Sequence, residues 1–149
     1  MSGRVEALWL KRAHRGVMDP ATDVTMVAGK GIERDANYGR SRRQVTVIEE
    51  EVFQRIAAAL PGTDPAMRRA NVMVSGIRLE GTLGRVLSLG GVRVRLLGET
   101  RPCERMDEQL PGLTAALDPE WRGGAHGVVL DDGPVRVGDE VRWEDPAAD

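Results

Sequence analysis

Short β-branched runs broken by glycine constrain this chain more than any other feature. Leu87 and Leu89 alternate up to Gly90-Gly91, and Val92, Val94 and Leu96 alternate away from it with Arg93 and Arg95 on the opposite face. That pattern predicts a hairpin. Further strands are expected over residues 4–11 around Val5, Ala7 and Trp9, over 23–28, over 43–48, over 68–76 and over 127–130, with a closing hairpin over 133–143. One segment has a helical period instead. Val52, Ile56 and Leu60 fall four apart, Glu49, Glu50 and Glu51 suit the positive end of a helix, and Pro61-Gly62 stops it. Two shorter helices are expected over 104–110 and 113–117, separated by Pro111-Gly112. Many short strands with few helices predict a mainly β domain, a β-rich α+β barrel rather than a βαβ sheet.

The 149 residues can bury a sizeable core without staples, and no repeat or linker divides them. We therefore read 1–149 as one domain, with its core over about 5–143 and a frayed tail over 144–149. At 30% charged and 41% hydrophobic residues, the chain fits neither a disordered tail nor a membrane protein. Its longest apolar run is residues 56–60 and no leader-like block follows the basic start, so a cytoplasmic protein without a membrane partner is expected.

The net charge of -2 provides no overall basic field, and aromatics at 3% supply few stacking platforms, so nucleic acid is not an expected partner. Lys11 and Lys30 are the only lysines, which puts the basic charge on arginine, whose planar fork matches phosphate and carboxylate. Neither lysine has a supporting motif for a Schiff base, so pyridoxal phosphate is not expected. No phosphate-loop or dinucleotide glycine pattern occurs.

Cys103 is the lone cysteine, which excludes an internal disulfide and a multi-cysteine metal site. It follows the end of a strand, and Arg101 and Arg105 flank it with charge that suits an anionic sulfur. The plain alternative is an inert thiol. Arg40, Arg42, Arg43, Arg68 and Arg69, with Asn71, would converge on a phosphate if their loops met at one barrel mouth; taken singly they are solvated loop residues. His14 and His126 lack zinc spacing, although His126 beside Gly123-Gly124 could line a site. Asp131 and Asp132 read as turn residues and Trp9, Trp121 and Trp143 as core anchors.

Taken in order, Gly29-Lys30-Gly31-Ile32, the run 43–49, the run 68–77 with Arg69 and Asn71, Pro102-Cys103, Gly123-Gly124 and the run 135–141 resemble the MOSC domain, the C-terminal domain of molybdenum cofactor sulfurase. The resemblance spans about residues 5–143 and implies a single MOSC-like β-barrel. It also implies a molybdenum cofactor, with Cys103 as the protein ligand of the metal, for which a soft thiolate is suited. Arg69 and Asn71 match the family's Arg-x-Asn step near the pterin and its phosphate; Thr100 and Arg101 would lie in the same shell, with Arg43 a further anion contact. The loop with Arg34, Asp35, Ala36 and Asn37 departs from the family's Asp-x-His and leaves Asp35 as its acid in register.

The activity so implied is reduction of a small N-hydroxylated substrate, a hydroxylaminopurine or an amidoxime. The metal would take the oxygen atom, and two electrons would come from a separate donor protein, since no flavin or iron–sulfur motif occurs. The alternative is a sulfur carrier holding a persulfide on Cys103 for cofactor or metal–sulfur cluster assembly. The sequence leaves the oligomeric state open.

Overall fold

A computed structural model describes residues 3–144. Eleven strands and three short helices are ordered along it: β1 (Gly3–Lys11), β2 (Met18–Ala21), β3 (Asp23–Val27), β4 (Gly31–Ile32), β5 (Val45–Glu49), α1 (Glu50–Ala59), β6 (Val72–Ser75), β7 (Val86–Leu89), β8 (Val92–Glu99), α2 (Arg105–Gln109), α3 (Leu113–Leu117), β9 (Ala125–Val129), β10 (Gly133–Arg136) and β11 (Glu140–Trp143). The main sheet runs β11-β7-β8-β9-β5-β6-β1-β2, and β11 also pairs with β1. That last pairing closes seven strands into a barrel, with β2 attached outside it, and so removes the open edges that a free sheet would expose. β5 and β6 run parallel, joined through α1, while the other pairs in the main sheet are antiparallel. A small second sheet, β10-β3-β4, lies alongside.

Two apolar clusters result. The barrel interior holds Val5, Leu8, Val47, Val72, Leu87, Leu89, Leu96 and Val141 among others. The second lies between the barrel wall and the helices, and contains Trp9, Ile48, Phe53, Ile56, Met73, Met106, Leu113 and Leu117. The hairpin at Gly90-Gly91 forms as expected, with Leu89 opposite Val92 and Leu87 opposite Val94.

The expected alternation of Val5, Ala7 and Trp9 breaks in β1. The pairing with β6 shifts register between Val5 and Ala7, so Val5 and Leu8 face the barrel interior while Ala7 and Trp9 turn toward the helices. A bulge of one residue exchanges the two faces of a strand. The strand expected over 68–76 starts later, because residues Pro65–Arg68 form a 3-10 turn and Arg69 takes a left-handed backbone conformation at φ 63°. Trp9 is a core residue, whereas Trp121 and Trp143 are half-buried against the barrel, Trp143 with the Arg85 guanidinium 4.2 Å from its ring centroid. Glu144, expected in a frayed tail, donates its amide to the Val86 carbonyl at 2.9 Å; residues 145–149 lie outside the described residues. No helix among the described residues is long and apolar enough to cross a membrane.

Candidate functional site

The end of β1, the starts of β5 and β6, and the connection from β8 to β9 meet on one side of the barrel. Asn71 fastens three of them. Its Oδ1 accepts the Thr46 amide at 3.1 Å, and its Nδ2 donates to the Trp9 carbonyl at 3.3 Å and to Asp35 Oδ1 at 3.0 Å. Asp35 is buried in turn. It accepts the amides of Lys11 at 2.7 Å and Asn37 at 3.0 Å, which pins the 34–37 loop to the end of β1. Both amide hydrogens of Asn71 are therefore engaged within the protein, which ties the start of β6 to β1 and β5.

Arg68 joins the fourth element. The 3-10 turn and the left-handed residue after it swing Arg68 inward, where its side chain is 8% exposed. Its Nε donates to the Gly123 carbonyl at 2.8 Å and its Nη2 to the carbonyls of Thr100 at 3.1 Å and Arg101 at 3.4 Å. Nη1 is uncommitted among the described residues. Gly123 is required at this crossing, because a Cβ there would strike the Thr100 carbonyl. Burial, then the nearby Arg43, lowers the Arg68 pKa to about 10, with Cys103 acting in the opposite direction, so the guanidinium stays charged at neutral pH. Arg69 is on the other side of the same turn. It donates Nη1 to the Gly16 carbonyl at 2.6 Å, and its Nη2 is buried with no partner among the described residues.

Cys103 lies on the β8–β9 connection two residues before α2, with an exposed side chain. Its carbonyl accepts the Met106 amide at 2.9 Å and the Thr114 hydroxyl at 2.9 Å, which holds the backbone of the cysteine against α2 and α3. The helix expected to begin at Glu104 begins at Arg105 and is five residues long. Thr100 is 2% exposed; its Oγ1 lies 3.3 Å from His126 Nδ1. Arg101 is exposed and sits 3.9 Å from Asp118. Arg43 is exposed on the 40–43 loop, which buried Gln44 anchors by donating to the Gly29 and Arg40 carbonyls and accepting the Val129 amide.

The charges gathered here are mostly positive. Lys11 has its pKa lowered by burial and then by Arg69, with Arg68 and Arg40 adding to this and Asp35 opposing it. Burial and then Arg105 lower the pKa of Arg69. Burial, then Arg43 and Arg42, lower that of His126, which is neutral at pH 7. Arg15, Arg69 and Arg105, with Glu104, Glu108 and Gln109, line a cavity of about 470 Å³ beside the cysteine loop. The wall of this cavity carries three guanidiniums against two carboxylates, and Arg69 adds a buried N–H without an acceptor among the described residues.

Of the expected site residues, Arg69, Asn71, Thr100 and Cys103 belong to the elements that Arg68 and Asn71 tie together; Arg43 acts on this region through its charge, and the Arg101 side chain lies toward Asp118 instead. Arg68 and His126, which the sequence offered as a phosphate contact and a site-lining histidine, are joined to these elements, and Lys11 is a further member. The Arg68-Arg69 pair and the histidine beside Gly123-Gly124 were the available signals; Lys11, at the end of a strand, gave none.

The lowered pKa of His126 fixes a sign for acid behaviour. The unfolded chain takes up a proton near pH 6.5 while the folded imidazole resists it, so stability is lost as pH falls through about 6.5 and is not affected above it. His126→Gln should therefore lose less melting temperature than the unaltered chain between about pH 7.5 and 5.5. Equal losses in the two would show that the imidazole is not held neutral.

The family model of the MOSC domain matches residues 34–142. Solved structures share the fold: the YuaD protein from Bacillus subtilis superposes with TM-score 0.82 at 24% identity, covering 95% of this chain and 94% of that one. YiiM from Geobacillus stearothermophilus gives TM-score 0.73 at 17% identity over 96% of this chain and 75% of that one. YiiM from Escherichia coli gives 0.70 at 13% identity, over 98% and 72%. No curated protein matches the chain.

Proposed function

The chain belongs to the MOSC domain family, and from that premise we propose that it holds a molybdenum pterin cofactor through Cys103 and reduces small N-hydroxylated compounds. The observation that carries the reading is one exposed thiol set beside a cluster of guanidiniums, one of which, Arg69, has a buried N–H with no partner. Those residues fit the group. A thiolate is the soft donor that a thiophilic metal takes, and the pterin's phosphate needs the planar N–H donors that Arg69 and its neighbours Arg15 and Arg105 supply.

The group, when bound, supplies two-electron oxygen-atom abstraction from an N–O bond. The protein's residues do the rest. Cys103 Sγ would ligate the metal, on a backbone that α2 and α3 hold. Arg68 would place that loop by binding the Thr100 and Arg101 carbonyls just before it, while its free Nη1 and Arg43 keep the surroundings positive. Thr100 orients His126, whose neutral imidazole has no acidic proton of its own and would instead relay one from solvent, accepting at one ring nitrogen as it releases from the other. The net change is R–NHOH plus two electrons and two protons to R–NH2 and water, with the electrons supplied by a separate donor protein. Asn71 is a positioning residue in this scheme.

Metal analysis and pterin fluorescence on protein made in a host with the cofactor test this reading, followed by reduction of hydroxylaminopurine and benzamidoxime with a chemical electron donor. Stoichiometric molybdenum and turnover are expected. Metal-free protein whose Cys103 gains the mass of one sulfur would overturn it in favour of a persulfide carrier, a use that an exposed thiol also permits.

A further inference from the structure

A second cavity, of about 230 Å³, opens at the opposite end of β5 and β6 from Asn71, between the start of α1, the turn after β6 and the segment before β9. Its polar wall is incompletely paired. Glu49 is 9% exposed and gives only Oε2 to a hydrogen bond, from the Leu79 amide at 3.2 Å. Glu51 gives Oε2 to the Gly76 amide at 2.8 Å, while its Oε1 is buried with no partner among the described residues. Arg122 donates Nη1 to the Ala116 carbonyl at 3.2 Å and Nη2 to Glu120 at 3.0 Å, and its Nε is likewise buried and unpartnered. Arg55 and Arg78 stand exposed at the rim, and Val52 and Ile77 add an apolar wall.

The wall thus holds one acceptor atom, Glu51 Oε1, and one donor, the Nε–H of an Arg122 whose charge Glu120 already meets, each without a hydrogen-bond partner among the described residues. A simple cation would satisfy Glu51 and leave the Arg122 Nε–H bare; a simple anion would do the reverse. A ligand that carries both charges satisfies both. We propose that this cavity binds a free α-amino acid, its ammonium on the Glu49 and Glu51 carboxylates and its carboxylate on Arg122 Nε with Arg55 and Arg78 at the rim. The side chain would lie against Val52 and Ile77. Burial, with Glu51 beside it, raises the Glu49 pKa, while the Leu79 amide and the charges of Arg78 and Arg55 oppose this without cancelling it. Neither the cysteine nor any cofactor takes part.

The test uses the full chain, without cofactor, and the twenty proteinogenic L-amino acids at about 10 mM, read by saturation-transfer NMR, since sites of millimolar Kd fill there. At least one amino acid should bind saturably. Its methyl ester and its N-acetyl derivative, each lacking one charge, should bind about tenfold more weakly, as should the parent to Glu51→Gln and to Arg122→Gln. If either variant melts unlike the unaltered chain, the exposed double substitution Arg55→Gln with Arg78→Gln should weaken binding to the same extent. The proposal is overturned if no amino acid gives a saturable signal, which would leave the cavity to water. It is also overturned if the ester or N-acetyl form binds as well as the parent, or if the folded variants bind unchanged.

Discussion

Cys103→Ser is expected to fold as the unaltered chain does and, on the function proposed above, to retain no molybdenum. The side chain is exposed and makes no hydrogen bond among the described residues; what α2 and α3 hold is the backbone carbonyl, which serine retains. Substitutions of that kind change stability by about 0.5 kcal/mol or less. The donor chemistry changes far more. A serine hydroxyl is a hard oxygen that stays protonated at neutral pH, whereas the metal that the pterin dithiolene carries prefers soft sulfur. Bound metal per chain should fall by at least about tenfold, by analogy with the 10–100-fold losses produced by altering supporting groups of metal sites. N-hydroxylated substrates should then go unreduced. The comparison to make is molybdenum content and turnover in both proteins, purified side by side, with a denaturant melt to confirm equal folding. Equal metal and equal turnover would remove Cys103 from the site altogether.

The basic cluster has an ionic consequence for such experiments. Most of its charges are exposed, and interactions among exposed charges are screened within about 8–10 Å at ordinary salt. Arg68 and Arg69 Nη2 are the exceptions, being held out of water. An anion bound through them keeps more of its affinity in salt than one bound by the 40–43 loop, where the arginines stand in solvent.

How much of this was legible in the sequence varied with the range of the interaction involved. The β7–β8 hairpin was, because two glycines and the alternation around them are local. So was α1, whose stripe of Val52, Phe53 and Ile56 became the face buried in the second cluster. The position of Cys103 just past a strand was legible from Pro102. The β1 bulge was not, since it is set by pairing Val5 with Val74 and Ala7 with Met73, far away in the sequence, and it alone decides whether Trp9 faces the barrel or the helices. Arg68 and Arg69 show the same limit within the site. As neighbours they look equivalent, yet a left-handed turn at Arg69, a residue type that gives no warning of φ > 0, buries one guanidinium against three carbonyls and leaves the other beside a cavity. Lys11 came to the site through tertiary charge proximity, for which a single sequence holds no periodic signal, whereas His126 was marked only by the glycines before it.

Asp35 carries the second large effect. It was expected only as the acid left in a loop that departs from the family pattern, and it proves to be the acceptor on which three donors meet: Lys11 N and Asn71 Nδ2 on Oδ1, Asn37 N on Oδ2. Asp35→Ala would remove all three partners from a buried place. An unsatisfied buried donor costs on the order of 1–3 kcal/mol, and water entering the space left by the carboxylate would offset part of the sum, so a loss of about 3–5 kcal/mol is expected. Asp35→Asn separates geometry from charge. Its carbonyl oxygen can keep the two bonds to Lys11 and Asn71, but its amide would face the Asn37 N–H donor to donor, for a smaller loss of about 1–2 kcal/mol. Urea melts of the three proteins should therefore rank unaltered, Asn, Ala. Because Asn71 also holds Thr46 and Trp9, freeing its Nδ2 loosens the start of β6 and, through the turn before it, Arg68. Anion or cofactor affinity should fall in the same order as stability. An alanine variant that melts within about 1 kcal/mol of the unaltered chain would mean that the 34–37 loop is fastened by something other than this carboxylate, and would free Asp35 for a direct part in the chemistry.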